Sequence, residues 1–515
     1  MVYQNKEHTM RTARTPVALT LILSGTAMAG WPTDPATPLF VGPLNNAFDE
    51  RAGLRSGADG SVWLAWQQAY CVGDVLLQHI DLDGNLLAPM AMPIQDDLTC
   101  GFHLEPAMAV FGESIVVSRK RSSLLDTPVQ RYSQQGTTLW SPAFTADDVL
   151  VLETLATLDN GDTLIISQGW DTIHVDRIDP QGNQVWAKQL SFSVPGGANF
   201  DVVSFVSDDA GGGYIFWEDP AGYVRSMHAM RISSSGQAAW AATVPIVSVQ
   251  LPQRGTSRHT HSEMVSDGHG GAIIVYTEGF EQGTSPAAMY MQRILPDGSL
   301  AFPMPGIHVS TDFDRQFDVD LERDPATNDL LITWLHGFFN GVEVRAQRMT
   351  IDGDRLWGDE GVEIRPFSLT GTSFDSVWSD GKLKTAIGVP AEVTMIQTSA
   401  EGVVDPVQVL VGNAEPASFV KAASSNDGVV IVWQVDGPQL EDKLVAQRVN
   451  RHGQLGGDNL CPADLTGDQS LDFFDVSAFL NAFNAMNPIA DFTGDGSYDF
   501  FDVSAFLSAF SAGCP

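Results

Sequence analysis

Basic residues are scarce in this chain. Its 515 residues include 28 Lys and Arg against 63 Asp and Glu, giving a formal net charge of −35. No long basic run occurs, so there is no patch of the kind that nucleic-acid phosphate requires, and a nucleic-acid partner is excluded. Long apolar runs are missing too. No segment reaches the roughly 18 uninterrupted apolar residues that a membrane span requires. Cysteine is confined to Cys71, Cys100, Cys461 and Cys514, none in the C-x-x-C spacing of zinc or redox sites. There is no G-x-S-x-G, no H-E-x-x-H and no phosphate-binding glycine loop, so the familiar nucleophile, zinc-protease and nucleotide signatures are all lacking. What remains is the composition of a folded protein, 43% apolar and 9% aromatic with 48 Gly. Its length exceeds one ordinary core, so several domains or one large repeat array are expected.

At the N-terminus Arg11 and Arg14 precede an apolar stretch over 16–23, and Ala27-Met28-Ala29 offers an A-x-A cleavage site before Gly30. This reads as an export signal over residues 1–29, with a secreted or cell-surface product. In that setting the four cysteines favour disulfides. Cys461 and Cys514 bracket the C-terminal segment, and Cys71 and Cys100 are the other natural pair.

The middle of the chain repeats itself. A strand-like Gln-Arg-Ile or its variant is followed five residues after its central residue by a turn glycine. The central residues are His79, Arg131, Arg177, Arg231, Arg293, Arg348, Gln397 and Arg448, spaced by 46 to 62 residues. Asp-Gly or Asn-Gly turns such as Asp59-Gly60 and Asp380-Gly381 lie upstream, each before an apolar strand. Trp140, Trp186, Trp240 and Trp357 stand four residues after their turn glycines. One unit therefore holds four antiparallel strands, the period of a β-propeller blade. Tandem β-sandwiches would need about twice that period.

The expected fold is mainly β: a propeller over 30–457 with eight blades, or seven if the degenerate seventh repeat does not count, followed by a small helical module over 458–515. The eighth repeat lacks an outer strand, and the orphan segment 38–41 is the expected donor that closes the ring. The periodic Arg and Trp are read as structural. Carboxylates in the predicted loops (Glu218, Asp219, Glu278, Glu281 and Asp436) are candidates for paired-acid glycoside chemistry only if two flank one bond in space. His259 and His261 form the single His-x-His pair, too few for a metal site by themselves.

The C-terminal segment carries the sharpest motif. Residues 464–480 read DLTGDQSLDFFDVSAFL and residues 491–507 read DFTGDGSYDFFDVSAFL, 27 residues apart. Acids at loop positions 1, 5, 9 and 12 with Thr at 3 match the spacing of an EF-hand calcium loop. The first ligand set is Asp464, Thr466, Asp468, the Ser470 carbonyl, Asp472 and Asp475. The second is Asp491, Thr493, Asp495, the Ser497 carbonyl, Asp499 and Asp502. Two Ca2+ sites are expected. From Cys461 onward all eight Asp occupy loop positions and no Lys or Arg occurs, so a cation should drive folding. The stripes Phe473, Val476, Phe479, Leu480, Phe483 and Phe500, Val503, Phe506, Leu507, Phe510 are expected to pack two helices together.

This duplicated segment resembles a type I dockerin, a module of two calcium loops each followed by a helix. Thr466 and Thr493 stand where Asn is usual, and Gln469 replaces the glycine at position 6 of the first loop. The resemblance implies attachment to a cohesin-like partner or cell-surface component, with Phe474 and Phe501 at the eleventh loop positions helping to recognise it. Dockerins are often joined to polysaccharide-degrading enzymes. Three functions are therefore open: a non-catalytic propeller that binds a glycan or protein, a propeller glycoside hydrolase or lyase, and a structural surface protein.

Overall fold

In the computed structural model, the residues described are 30–45, 52–67, 75–87, 106–118, 127–146, 151–168, 172–191, 203–208, 210–219, 224–250, 257–258, 262–280, 288–312, 316–338, 341–368, 372–389, 392–406, 409–413, 419–426, 428–435, 441–450, 453–457, 463–466, 470–493 and 497–513. All four cysteines, Asp468, Asp495, His259, His261, Glu281 and Asp436 lie outside them, as does the segment read as an export signal.

Eight antiparallel sheets form eight blades in chain order. Blade 6 is representative: Gln316–Arg323, Leu330–Phe338, Gly341–Met349 and Val362–Ser368 run from the axis outward. Blade 1 has three strands among the described residues. The innermost strands follow one another around the axis, and that of blade 8 (Val420–Ser425) lies beside that of blade 1 (Ala52–Ser56). Ser56 Oγ and Ser424 Oγ stand 2.9 Å apart across this junction.

Because both faces of each sheet meet a neighbouring blade, the second strands read as continuous apolar runs rather than alternating ones. Ile273, Ile274 and Val275 are all fully buried in one such run. Among the described residues the buried apolar side chains of the ring fall into eight clusters, one at each blade boundary.

The periodic Arg and Trp belong to these boundaries. Arg177 pairs with Asp162 of its own blade at 2.6 Å and donates to the Ser234 carbonyl of the next at 2.7 Å. Arg231 does the same with Asp208 and Pro296, and Arg348 with Asp324 and Ala400. Trp140, Trp186, Trp240 and Trp357 each donate their indole N–H to a carbonyl of the following blade's turn. They also lie against its glycine: a Cβ at Gly182 would approach Trp140 Cδ1 to 3.0 Å. At such boundaries a cation and an indole together clamp one blade to the next. Where blade 8 meets blade 1 the indole is that of Trp31, which donates to the Leu82 carbonyl at 2.9 Å and packs on Gly84 of blade 1.

The N-terminal segment also supplies the outer strand of blade 8. Leu39–Asn45 pairs antiparallel with Glu441–Val449, so the two ends of the propeller share one sheet. Two helices follow the ring: α1, Phe473–Asn484, and α2, Phe500–Ala512.

Candidate functional site

The two loop–helix units have the same local construction. Asp472 caps α1 by accepting the Phe474 N–H at 2.7 Å, and Asp475 reaches back to the Asp472 N–H at 3.0 Å. Asp499 and Asp502 repeat this capping box at α2, with distances of 2.7 and 2.9 Å. The position-12 carboxylates, Asp475 and Asp502, are fully buried. Asp475 Oδ1 accepts both the N–H and the hydroxyl of Thr466 at 3.0 Å, and the Thr466 hydroxyl lies 3.3 Å from Asp464 Oδ1. Thr493 binds Asp502 in the same way at 3.0 and 2.9 Å. Burial opposes ionisation of Asp475, but the N–H groups of Asp472, Thr466 and Leu465 and the Thr466 hydroxyl outweigh it and hold the carboxyl below its ordinary range. Asp502 is held low by the matching set.

Loop positions 1, 3 and 12 of the first loop therefore converge, as do positions 3 and 12 of the second. Ser470 and Ser497, the carbonyl donors expected at position 7, lie within the described residues, as does Asp491 at position 1 of the second loop. Among the described residues no three His, Cys, Asp or Glu side chains form a metal-holding group. The position-5 acids Asp468 and Asp495 are outside the described residues.

Phe479 and Phe506 stack at 4.1 Å between the helices and are buried, with Val476, Phe483, Val503 and Phe510 partly buried around them. The predicted stripe is too wide. Phe473 and Phe500 are each 76% exposed, and Leu480 and Leu507 also point to solvent. Two short helices can bury only a narrow strip of each other, so the members at its edge remain outside. They join Phe474 and Phe501, each 66% exposed, in an apolar face on each helix.

On the propeller, the loop face is the end where second strands turn into third strands and each blade leads to the next. Three of the predicted loop carboxylates are in fact at strand ends. Glu218 is buried within Gly213–Asp219, the strand that also holds Asp219, and Glu278 lies in Ala272–Phe280. In blade 6 the second strand runs to Phe338 and the third begins at Gly341. Burial pushes the half-buried Glu278 carboxyl up. Tyr276, Tyr290 and His308 are grouped on the same blade, with ring centroids 5.8 and 4.5 Å apart in that order.

Between blades 5 and 6, His336 Nε2 lies 3.3 Å from Asp312 and 3.8 Å from Glu343, while Arg345 binds Glu343 at 2.5 Å and approaches Asp312 at 3.5 Å. Arg345 is already engaged by carboxylates, so this cluster ties two blades rather than presenting a free guanidinium. Sequence reasoning missed it because its members come from a connection and two strands.

A second missed group lies on the innermost strands. Glu263, Asp320, Asp375 and Lys421 occupy equivalent positions in blades 5 to 8, opposite Val275, Thr333, Ala386 and Val432. Asp320 accepts the Ser376 N–H and Asp375 the Ala422 N–H, both at 2.6 Å, so each stitches its blade to the next. Lys421 stands 3.7 Å from Asp375. Burial, then Asp375, Glu322 and Glu263, hold Asp320 well above the ordinary carboxylate range. Glu322 is pushed up to about 8, first by burial and then by Asp375.

No known family profile matches the chain, and no curated protein matches it. Solved structures do resemble it. The polysaccharide lyase Uly1 is 9% identical with a TM-score of 0.42, over 70% of this chain and 94% of that one. An α-L-arabinanase of Penicillium chrysogenum complexed with arabinobiose is 14% identical with a TM-score of 0.36, over 59% and 94%. The dihydro-heme d1 dehydrogenase NirN is 12% identical with a TM-score of 0.43, over 75% and 76%. Identities this low carry no activity across to this chain.

Proposed function

We propose that this chain is a calcium-dependent attachment protein. Its C-terminal module binds two Ca2+ and docks a ligand-binding propeller onto a cohesin-like partner or cell-surface component. The observation that carries the reading is the duplicated arrangement of a buried position-12 carboxylate, a position-3 threonine bonded to it, and an exposed phenylalanine pair on the helix that follows. Calcium is a hard cation that takes oxygen ligands and neutralises clustered carboxylates. Asp464, Thr466, Asp468, the Ser470 carbonyl, Asp472 and Asp475 would hold one ion, and Asp491, Thr493, Asp495, the Ser497 carbonyl, Asp499 and Asp502 the other. With the loops fixed, both phenylalanine faces are presented rigidly to a partner. A glycan is the expected ligand of the propeller. An exported protein would meet calcium concentrations that suit such a module.

The test is a calcium titration of the full chain followed by circular dichroism after EDTA treatment. Helical signal should rise with calcium, and Asp468→Ala with Asp495→Ala should abolish the rise. An unchanged spectrum sinks the calcium reading.

A second reading, a polysaccharide hydrolase or lyase, is favoured by one observation: burial raises the Glu278 carboxyl toward the range of a proton donor. If so, a polysaccharide screen should reveal cleavage that Glu278→Gln lowers by a factor of roughly 10² or more. Cleavage that survives the substitution removes Glu278 from the chemistry.

A further inference from the structure

Three successive clefts between blades correspond position by position, and one is built with opposite chemistry. The strand ends that border them are paired His336↔Glu343 in blade 6, Val389↔Glu392 in blade 7 and Val435↔Lys443 in blade 8. Glu343, Glu392 and Lys443 therefore share one position. The next pairs inward are Trp334↔Arg345, Ile387↔Thr394 and Trp433↔Val445. From the outer strand of the preceding blade, Arg365 pairs with Val344 and Gly412 with Val393, which makes Gly412 the counterpart of Arg365.

Between blades 6 and 7, Arg365 crosses the cleft and fills it. Its Nη2 binds Glu392 at 2.7 Å and its Nη1 donates to the Thr394 hydroxyl at 2.9 Å. Between blades 7 and 8 every partner in that interaction is changed. The arginine is replaced by glycine, the glutamate by lysine and the threonine by valine. Nor can the filler simply be restored, because a Cβ at Gly412 would lie 2.6 Å from Trp433 Cζ2. What remains is a cavity of about 250 Å³ lined by Phe40, Trp433, Val435, Lys443 and Val445 together with Pro38 of the N-terminal segment. Lys443 is exposed and has no ion pair among the described residues, in a chain whose net charge is −35.

We propose that this cavity binds a small apolar carboxylate. The lining is mainly aromatic and aliphatic, and among the described residues that line it the single charge is an ammonium, where the two preceding clefts present a carboxylate. A dry cavity of about 150 Å³ holds benzene, so this one has room for about ten non-hydrogen atoms, the size of an aryl acetate. The acid's ring takes the apolar space and its carboxylate meets Lys443. Pro38 and Phe40 belong to the segment that closes the ring, so a bound acid also braces the closure. The inference goes beyond the attachment reading and does not depend on calcium.

The experiment is calorimetric titration of the full chain with phenylacetate, phenylacetamide and glucuronate, in calcium and in EDTA, beside the Lys443→Gln variant. Phenylacetate should bind in both buffers and raise the unfolding temperature. Phenylacetamide, and phenylacetate on the variant, should bind roughly tenfold more weakly or worse, since a charge-assisted contact is lost in each. No binding at about 10 mM phenylacetate, a level that would reveal even millimolar affinity, overturns the proposal. So does equal binding by Lys443→Gln, or a preference for glucuronate. Lys443 is exposed, and an unchanged melting curve for the ligand-free variant shows that its fold is kept. Binding that persists in EDTA while the calcium titration is flat would defeat the attachment reading and leave this one standing.

Discussion

Glu322 makes the propeller's stability depend on pH in an unusual direction. Its carboxyl is raised from 4.5 to about 8, first by burial and then by Asp375 and Glu263, against the Trp378 N–H that favours the ionised form. For an acid raised on folding, the native state holds its proton more tightly than the unfolded chain does. Below pH 4.5 both states are protonated and Glu322 costs nothing. Between there and pH 8 the unfolded chain gains by ionising while the native one cannot, so stability falls as pH rises; above 8 the penalty is constant. At about 1.4 kcal/mol for each pH unit of that gap, the ceiling is on the order of 5 kcal/mol. Asp320 shares the same proton economy, being raised by burial and then by Asp375 and Glu322, so the effect of one substitution should be smaller, about 2–3 kcal/mol. Glu322→Gln keeps the shape and removes the titration. Denaturant unfolding of both proteins from pH 4.5 to 9, read as the difference between them, should show near-equality at the acid end and a variant more stable by that amount at the alkaline end. A difference that is flat across the range, or a wild type that gains on the variant as pH rises, would refute the reasoning.

Trp31 offers an independent test of ring closure. It is buried against Gly84, and its indole N–H bonds to the Leu82 carbonyl, so Trp31→Ala should cost about 3–5 kcal/mol, as large-to-small core changes do. Hydrogen exchange should localise the loss to blades 8 and 1; uniform loosening of all the blades would show that Trp31 is not the closing clamp.

The repeat was legible because the blades share local signals: in every one a turn glycine five residues after the central residue, and in several an Asp-Gly or Asn-Gly turn upstream of an apolar second strand. Those signals are short-range, and turn chemistry alone imposes them. Trp31 escaped the pattern because its partners are 51 residues away and its own blade is assembled from both ends of the chain. The helical stripe misled for a related reason: periodicity marks what one helix offers, while the width of its partner decides how much is covered. Thus Phe479 and Phe506 are buried while Phe473 and Phe500, nearer the start of the same helices, are not.

The charged groups that only the blade registers bring together were the least legible. Glu263, Asp320, Asp375 and Lys421 are each an ordinary charged residue in a strand, and only cross-strand registers reveal that they stand at one level of four consecutive blades. The same holds for Glu343, Glu392 and Lys443. A repeat fold places corresponding residues in corresponding surroundings, so a departure from the series has a meaning that the same residue would lack elsewhere. Where Arg365 fills its cleft with a side chain and a charge, Gly412 and Lys443 withdraw the one and invert the other. Strand pairing alone does not require that change, since the blade 6–7 cleft meets the same register with an ion pair. It is in such departures, rather than in the repeat itself, that a propeller's binding chemistry is written.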